Sequence, residues 1–204
     1  MATVRPIRSA PAEPVALHSR AMDNLRYIRE TMERAGSFTA VPGAGGIAMG
    51  VTAVLAALVA WRQVDAAWWL VVWLVEAVAA CALGLLEAAR KSRRIGMPLL
   101  SGPGRKFLVG FVPPLFVGAL LTWVLFRAGL TDSVPAVWLL LYGTGVVSGG
   151  SASVKVVPVM GLCFMILGTA ALFAPPGWHN WILAAGFGGI HIAFGSIITV
   201  KYGG

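Results

Sequence analysis

Residues 66–88 read AAWWLVVWLVEAVAACALGLLEA, and residues 89–94 follow as ARKSRR. At 1.5 Å per residue the first stretch is long enough to carry a helix through a hydrocarbon core of about 30 Å. A soluble surface helix of that length shows a polar face, because only one stripe of it can be buried. This stretch shows none. Trp68 and Trp69 mark its start, and four basic residues mark its end. The composition of the whole chain agrees. It has 204 residues, 58% of them hydrophobic and 12% charged, with a mean hydropathy of +0.80. Soluble domains are about 45–50% apolar and about 25% charged, and a domain of this size could not fold away so much apolar surface in water. Lipid as solvent removes that requirement. The length allows one membrane domain with a short extension and no separate catalytic domain.

Six spans are expected, at Gly45–Trp61, Ala66–Ala88, Phe107–Phe126, Val134–Val147, Val156–Ala174 and Trp181–Val200. The fold class is therefore all-α, a polytopic membrane protein. Its domains read as residues 1–43, a cytoplasmic arm, and residues 44–204, a six-helix transmembrane domain. Arg90, Lys91, Arg93, Arg94, Arg105 and Lys106 crowd one connection, with further basic residues in the N-terminal arm, at Lys155 and at Lys201. The opposite connections hold Arg62 with Asp65, Arg127 with Asp132, and no Lys or Arg in residues 175–180. The positive-inside rule then places both termini and the 90–106 loop in the cytoplasm, as in an inner-membrane protein. Tryptophan favours the interface because its ring is amphipathic. Trp61, Trp68, Trp69, Trp123, Trp138, Trp178 and Trp181 all fall at the expected outer ends, with Trp73 about a turn deeper. Residues 1–38 lack the apolar core of a secretory signal.

Before the first span, Met22, Leu25, Ile28 and Met32 recur at helical spacing and predict an amphipathic helix over about 19–35, ended by Gly36. Arg26–Glu30, Arg29–Glu33 and Glu30–Arg34 fall four apart on its polar side, each pair contributing a few tenths of a kcal/mol. The apolar stripe suits docking to a partner or lying on the inner leaflet. Pro42, Gly43, Gly45 and Gly46 read as a hinge into the membrane.

The outer connections resemble one another. AALVAWRQVDAAWWLVVW at 56–73, TWVLFRAGLTDSVPAVWLLLY at 122–142 and AALFAPPGWHNWILAAGF at 170–187 each give a helix end, a short loop, a tryptophan and a returning helix. Three tandem hairpins are one construction that fits. The returning helices carry small residues four apart (Ala80, Gly84, Ala88; Gly145, Gly149, Ser153; Ala185, Gly189, Ala193), stripes that let helices approach closely within a monomer or in a homo-oligomer or membrane complex.

Polar groups inside spans are costly and mark candidate sites. Glu76 and His191 lie at comparable depth on helices running inward. Tyr142 and Thr144 stand at similar depth in the fourth span. Equivalence of the hairpins would bring all four to one polar site for a proton, ion or small ligand. Pro113, Pro114 and Pro158 would free backbone carbonyls near the inner half. Arg90, Lys91, Arg93 and Arg94 suit anionic lipid headgroups, at about 1 kcal/mol each. Residues 148–155 read as a flexible inner turn. Cys81 and Cys163 lie in apolar runs and read as small fillers.

The net charge of +8 sits beside spans and in no groove-reading motif, so nucleic acid is not an expected partner. No metalloprotease, nucleophile-elbow or paired Ser–Lys pattern is present, and neither metal nor cofactor is expected. The function this composition favours is a small transporter or channel subunit. The alternative is a non-enzymatic sensory or accessory protein that docks a partner through its N-terminal helix.

Overall fold

Among the described residues, 14–36, 41–96 and 98–202 of the computed structural model, the chain is helical with no strand. It divides into two compact units, Met1–Gly36 and Ser37–Gly204. The first holds one helix, α1 (Pro14–Ala35). Helix α1 begins a turn and more before the expected start, with a proline at its first position, where a backbone N–H would have no partner anyway. The Gly36 amide closes it on the Met32 carbonyl at 2.8 Å. The arm at 1–13, and the side chains of Arg29, Glu30, Glu33 and Arg34 with their expected pairs, lie outside the described residues.

The second unit contains α2 (Gly43–Ala60), α3 (Ala66–Ile95), α4 (Gly102–Arg127), α5 (Val134–Gly150), α6 (Val156–Phe173), α7 (His179–Leu183) and α8 (His191–Tyr202). A π-helical segment, Ala184–Ile190, joins the last two. With α7–α8 taken as one element, six helices are long and apolar enough to cross a membrane. Each boundary has a local cause. Asp65 caps α3 by accepting from the Ala67 and Trp68 amides at 2.6 and 3.3 Å. Gly96 ends α3 in the left-handed region, φ +65°. Helix α4 runs through Pro113–Pro114 without a break, while Pro158 falls in the first turn of α6, where the missing N–H costs nothing. The expected hinge at Gly43, Gly45 and Gly46 is instead the first turn of α2.

Those glycines are a packing surface. Helix α2 lies between α3 on one side and the π segment with α8 on the other, while α5 lies between α4 and α6. A Cβ on Gly50 would stand 2.6 Å from the Gly188 carbonyl, and one on Gly195 2.8 Å from that of Gly43. The α5–α6 contact is reciprocal. A Cβ on Gly143 would stand 2.7 Å from the Gly161 carbonyl, and one on Gly161 2.8 Å from that of Gly143. Gly145 and Gly149 likewise admit the backbone of Phe111 and Phe107 from α4. In lipid, where apolar burial drives no association, such backbone approach supplies the dispersion that holds helices together.

The first two hairpins therefore pack as pairs, α2 on α3 and α4 on α5. The third opens: α6 takes its larger interface with α5, and α8 takes its own with α2. Helix α5 is central, with Val134, Ala136 and Leu139 fully buried. Helices α3 and α4 each bury one narrow stripe and expose the rest. Of the three small-residue stripes, Gly145–Gly149 is a buried packing face, whereas Ala185, Gly189 and Ala193 point outward.

Gly143→Ala should destabilise the fold by about 1–3 kcal/mol through forced separation of α5 from α6. Gly189→Ala, with nothing within 4 Å of the added carbon, should stay within about 0.5 kcal/mol of the parent. Thermal melting of both variants in detergent, followed by size exclusion, checks the contrast.

Candidate functional site

Tyr142 on α5 and His191 at the start of α8 meet at the centre of the bundle, Oη to Nε2 2.7 Å. The other ring nitrogen, Nδ1, lies 2.9 Å from the Phe187 carbonyl. A carbonyl can only accept, so Nδ1 carries the proton. In the neutral ring Nε2 then accepts from the Tyr142 hydroxyl. The π segment makes this geometry available. In a π segment amides bond five residues back rather than four, so the Phe187 carbonyl, which a regular α-helix would give to the His191 amide, is open to the imidazole. Such π insertions recur at functional positions in helices.

Around the pair is an aromatic shell. The Tyr142 ring meets Phe164 at 4.8 Å, Phe187 at 5.2 Å and Phe111 at 5.7 Å between centroids. The His191 ring lies 5.2 Å from Phe164 and nearly parallel to Phe187 at 6.2 Å. Ring faces of this kind tolerate a cation better than aliphatic side chains do. Phe164 is fully buried and His191 nearly so.

Glu76 is buried on α3, and Thr52 of α2 donates to its Oε1 at 2.8 Å. The same Thr52 hydroxyl lies 3.0 Å from the Met49 carbonyl and 3.2 Å from that of Ala48. One hydroxyl proton thus faces three acceptors. Thr144 turns its hydroxyl onto the Leu140 carbonyl of its own helix, 2.8 Å away. The structure thus joins Tyr142 to His191 and places Glu76 at a second node, between α2 and α3. Among the described residues no three His, Cys, Asp or Glu side chains gather as a metal ion would require.

A third polar node lies at the tryptophan-rich end, around Asn180. Its Oδ1 accepts from the indole N–H groups of Trp69 and Trp73, both at 3.1 Å, and its Nδ2 donates to the Ala57 carbonyl at 2.8 Å. One amide thereby ties α2, α3 and α7 together. Trp69 stacks on Trp138 at 6.0 Å. Trp138 in turn donates to Thr122 at 2.7 Å. The ring of Trp73 touches Phe187 at 6.4 Å, so the node runs continuously to the Tyr142–His191 pair. Of the eight tryptophans, Trp61, Trp68, Trp123, Trp178 and Trp181 are exposed as an interfacial belt would be, whereas Trp69, Trp73 and Trp138 turn inward. Sequence reasoning missed Asn180, because an asparagine after Pro-Pro-Gly reads as a turn residue.

At the basic end Lys91 is buried, and its Nζ donates to the carbonyls of Val41 at 3.1 Å and Tyr202 at 3.2 Å. It caps the last turn of α8, where carbonyls lack intrahelical partners and carry partial negative charge. Arg93 and Arg94 are exposed, and Arg90 is exposed beside Glu87, with which it pairs. Cys81 is exposed and Cys163 half-buried, both free thiols. On α1, Met22, Leu25, Ile28 and Met32 are all exposed.

Asn180→Leu should leave the two indole donors of Trp69 and Trp73 without partners, lowering stability by about 2–4 kcal/mol. The measurement is thermal melting in detergent together with the emission maximum of the inward tryptophans, which should shift as their environment opens. An unchanged melting curve would show the node to be dispensable.

Searches of protein-family models, of characterised proteins and of solved structures find no match to this chain.

Proposed function

We propose that this integral membrane protein is a small transporter or channel subunit in which the Tyr142–His191 pair takes up and releases the proton that is moved or that drives movement of an ion or small ligand. The observation that carries the reading is the 2.7 Å contact between two titratable side chains at the centre of six spans, with the imidazole oriented by the Phe187 carbonyl. A proton arriving at Nε2 turns that nitrogen from acceptor into donor. Tyr142 Oη must then accept, and its own proton must find another partner. The hydrogen bond between α5 and α8 therefore reverses with each proton, and the two helices carry the consequence. In hydrocarbon no water compensates a lost bond, so the reversal biases one helix arrangement over another.

Glu76 serves in this reading as a second proton-exchanging group. Thr52 would switch its single proton between the carboxyl and the Met49 or Ala48 carbonyl. The inward tryptophans and Asn180 close the path on the far side, so the arrangement corresponds to an occluded state. The distribution of basic residues supports an orientation with both termini and the 90–106 loop in the cytoplasm of an inner membrane. Arg93 and Arg94 would lie against anionic headgroups, with Lys91 withdrawn from them to cap α8.

The test is proton flux into pyranine-loaded liposomes under a potassium diffusion potential set by valinomycin. Vesicles with the intact chain should acidify at least about tenfold faster than vesicles holding His191→Phe or Tyr142→Phe, a loss of about 1.4 kcal/mol or more in transition-state stabilisation. Glu76→Gln should lose the pH dependence of the rate. Circular dichroism and elution volume confirm that each variant folds. Equal flux in the intact chain and His191→Phe would remove the pair from any transport role.

A further inference from the structure

We infer that α1 is an in-plane membrane helix, its Met22–Leu25–Ile28–Met32 face seated in the anionic leaflet on the side where α2 begins. This goes beyond the transport reading and does not depend on it. At 100° per residue the four side chains fall within an arc of about 120°. They are 55%, 62%, 52% and 70% exposed. Asp23 and Tyr27 lie on the opposite side of the helix, also exposed.

The occupant follows from three constraints. Residues 36–42 are all that separate α1 from the first membrane-crossing helix, and even fully extended they reach only about 25 Å. The helix therefore stays beside the bilayer surface, at a high effective concentration of lipid, and cannot cross to the other side. A shallow apolar stripe held at the surface of a bilayer is what an interfacial helix needs. Residues 1–36 carry six arginines against four acids and no lysine, and Arg26, about 40° beyond one edge of the stripe, is exposed. A guanidinium beside an apolar face pairs with lipid phosphate while its stem covers the acyl boundary, and the excess of arginine over acid in the arm adds attraction to an anionic surface.

The experiment is site-directed spin labelling of the full chain, in a Cys81→Ser, Cys163→Ser background, within nanodiscs of phosphatidylcholine and phosphatidylglycerol. Labels at Leu25→Cys and Ile28→Cys should collide with dissolved oxygen and be shielded from a water-soluble nickel chelate by about fivefold relative to Asp23→Cys and Tyr27→Cys, as burial to roughly 5–10 Å demands. Introducing Leu25→Glu and Ile28→Glu together should return a label at Met32→Cys to water. Equal nickel access at all four positions would overturn the inference. So would shielding that appears only when two chains share a disc, the signature of a second copy, or shielding that vanishes on removal of a co-purifying protein.

Discussion

Inside hydrocarbon a hydroxyl, amide, indole or imidazole has no water to bond with, and the polar side chains at the middle of this chain's spans are paired. Thr144, Thr169 and Ser196 satisfy themselves on the carbonyl four residues back in their own helices. The groups that cannot do so reach across: Thr52 to Glu76, Tyr142 to His191, Trp138 to Thr122, and Trp69 and Trp73 to Asn180. These cross-helix bonds select which helices are neighbours, because a different arrangement would strand several of them at once. Dispersion along the glycine faces supplies closeness, and the polar bonds supply identity.

The glycines explain how a chain so rich in a poor helix former remains helical. A glycine inside a helix costs about 1 kcal/mol relative to alanine in water, and α2, α5 and the π segment each carry several. Hydrocarbon offers the unfolded backbone no solvent, so the helix stands in spite of them. What they contribute is contact between backbones at α2–α8 and α5–α6, where a single added carbon would overlap a carbonyl. The same closeness limits the space between helices. The groove beside Asn180 amounts to about 50 Å³, room for little more than one water.

The spans, their ends and the interfacial belt are legible in the sequence because each rests on a property of one helix against its solvent: length, hydropathy, charge bias, tryptophan position. Which helices pair is not legible, because helices apolar all round, as α5, α6 and α8 nearly are, give no polar face by which to orient them. Small residues narrow the choice without making it. In the last span Ala185–Gly189–Ala193 and Gly188–Gly195 offer two competing faces, and the structure buries the second. The π segment decides between them. It widens the turn at Ala184–Ile190 and so rotates everything after it relative to everything before, a shift that no 3.6-residue periodicity anticipates. Lys91 escaped for a related reason. Within a run of four basic residues nothing local distinguishes the one that turns inward to cap α8 from the three left outside.

The same rotation brings His191 to Tyr142. Counting along the spans puts Tyr142, Thr144, Glu76 and His191 at comparable depth, and depth is all that such counting can give. In azimuth they differ: Glu76 faces α2 and His191 faces α5, while Thr144 is held by its own backbone. A continuous α-helix through 184–190 would share the Phe187 carbonyl between the His191 amide and the imidazole, as helical carbonyls elsewhere are shared with Thr144, Thr169 and Ser196, but would aim the ring in another direction. The π insertion alters the azimuth of His191, the Phe187 carbonyl holds the proton on Nδ1, and Nε2 meets the Tyr142 hydroxyl, which can both donate and accept. The irregular segment therefore sets the direction from which His191 meets Tyr142, and a regular helix over the same residues would aim the imidazole elsewhere.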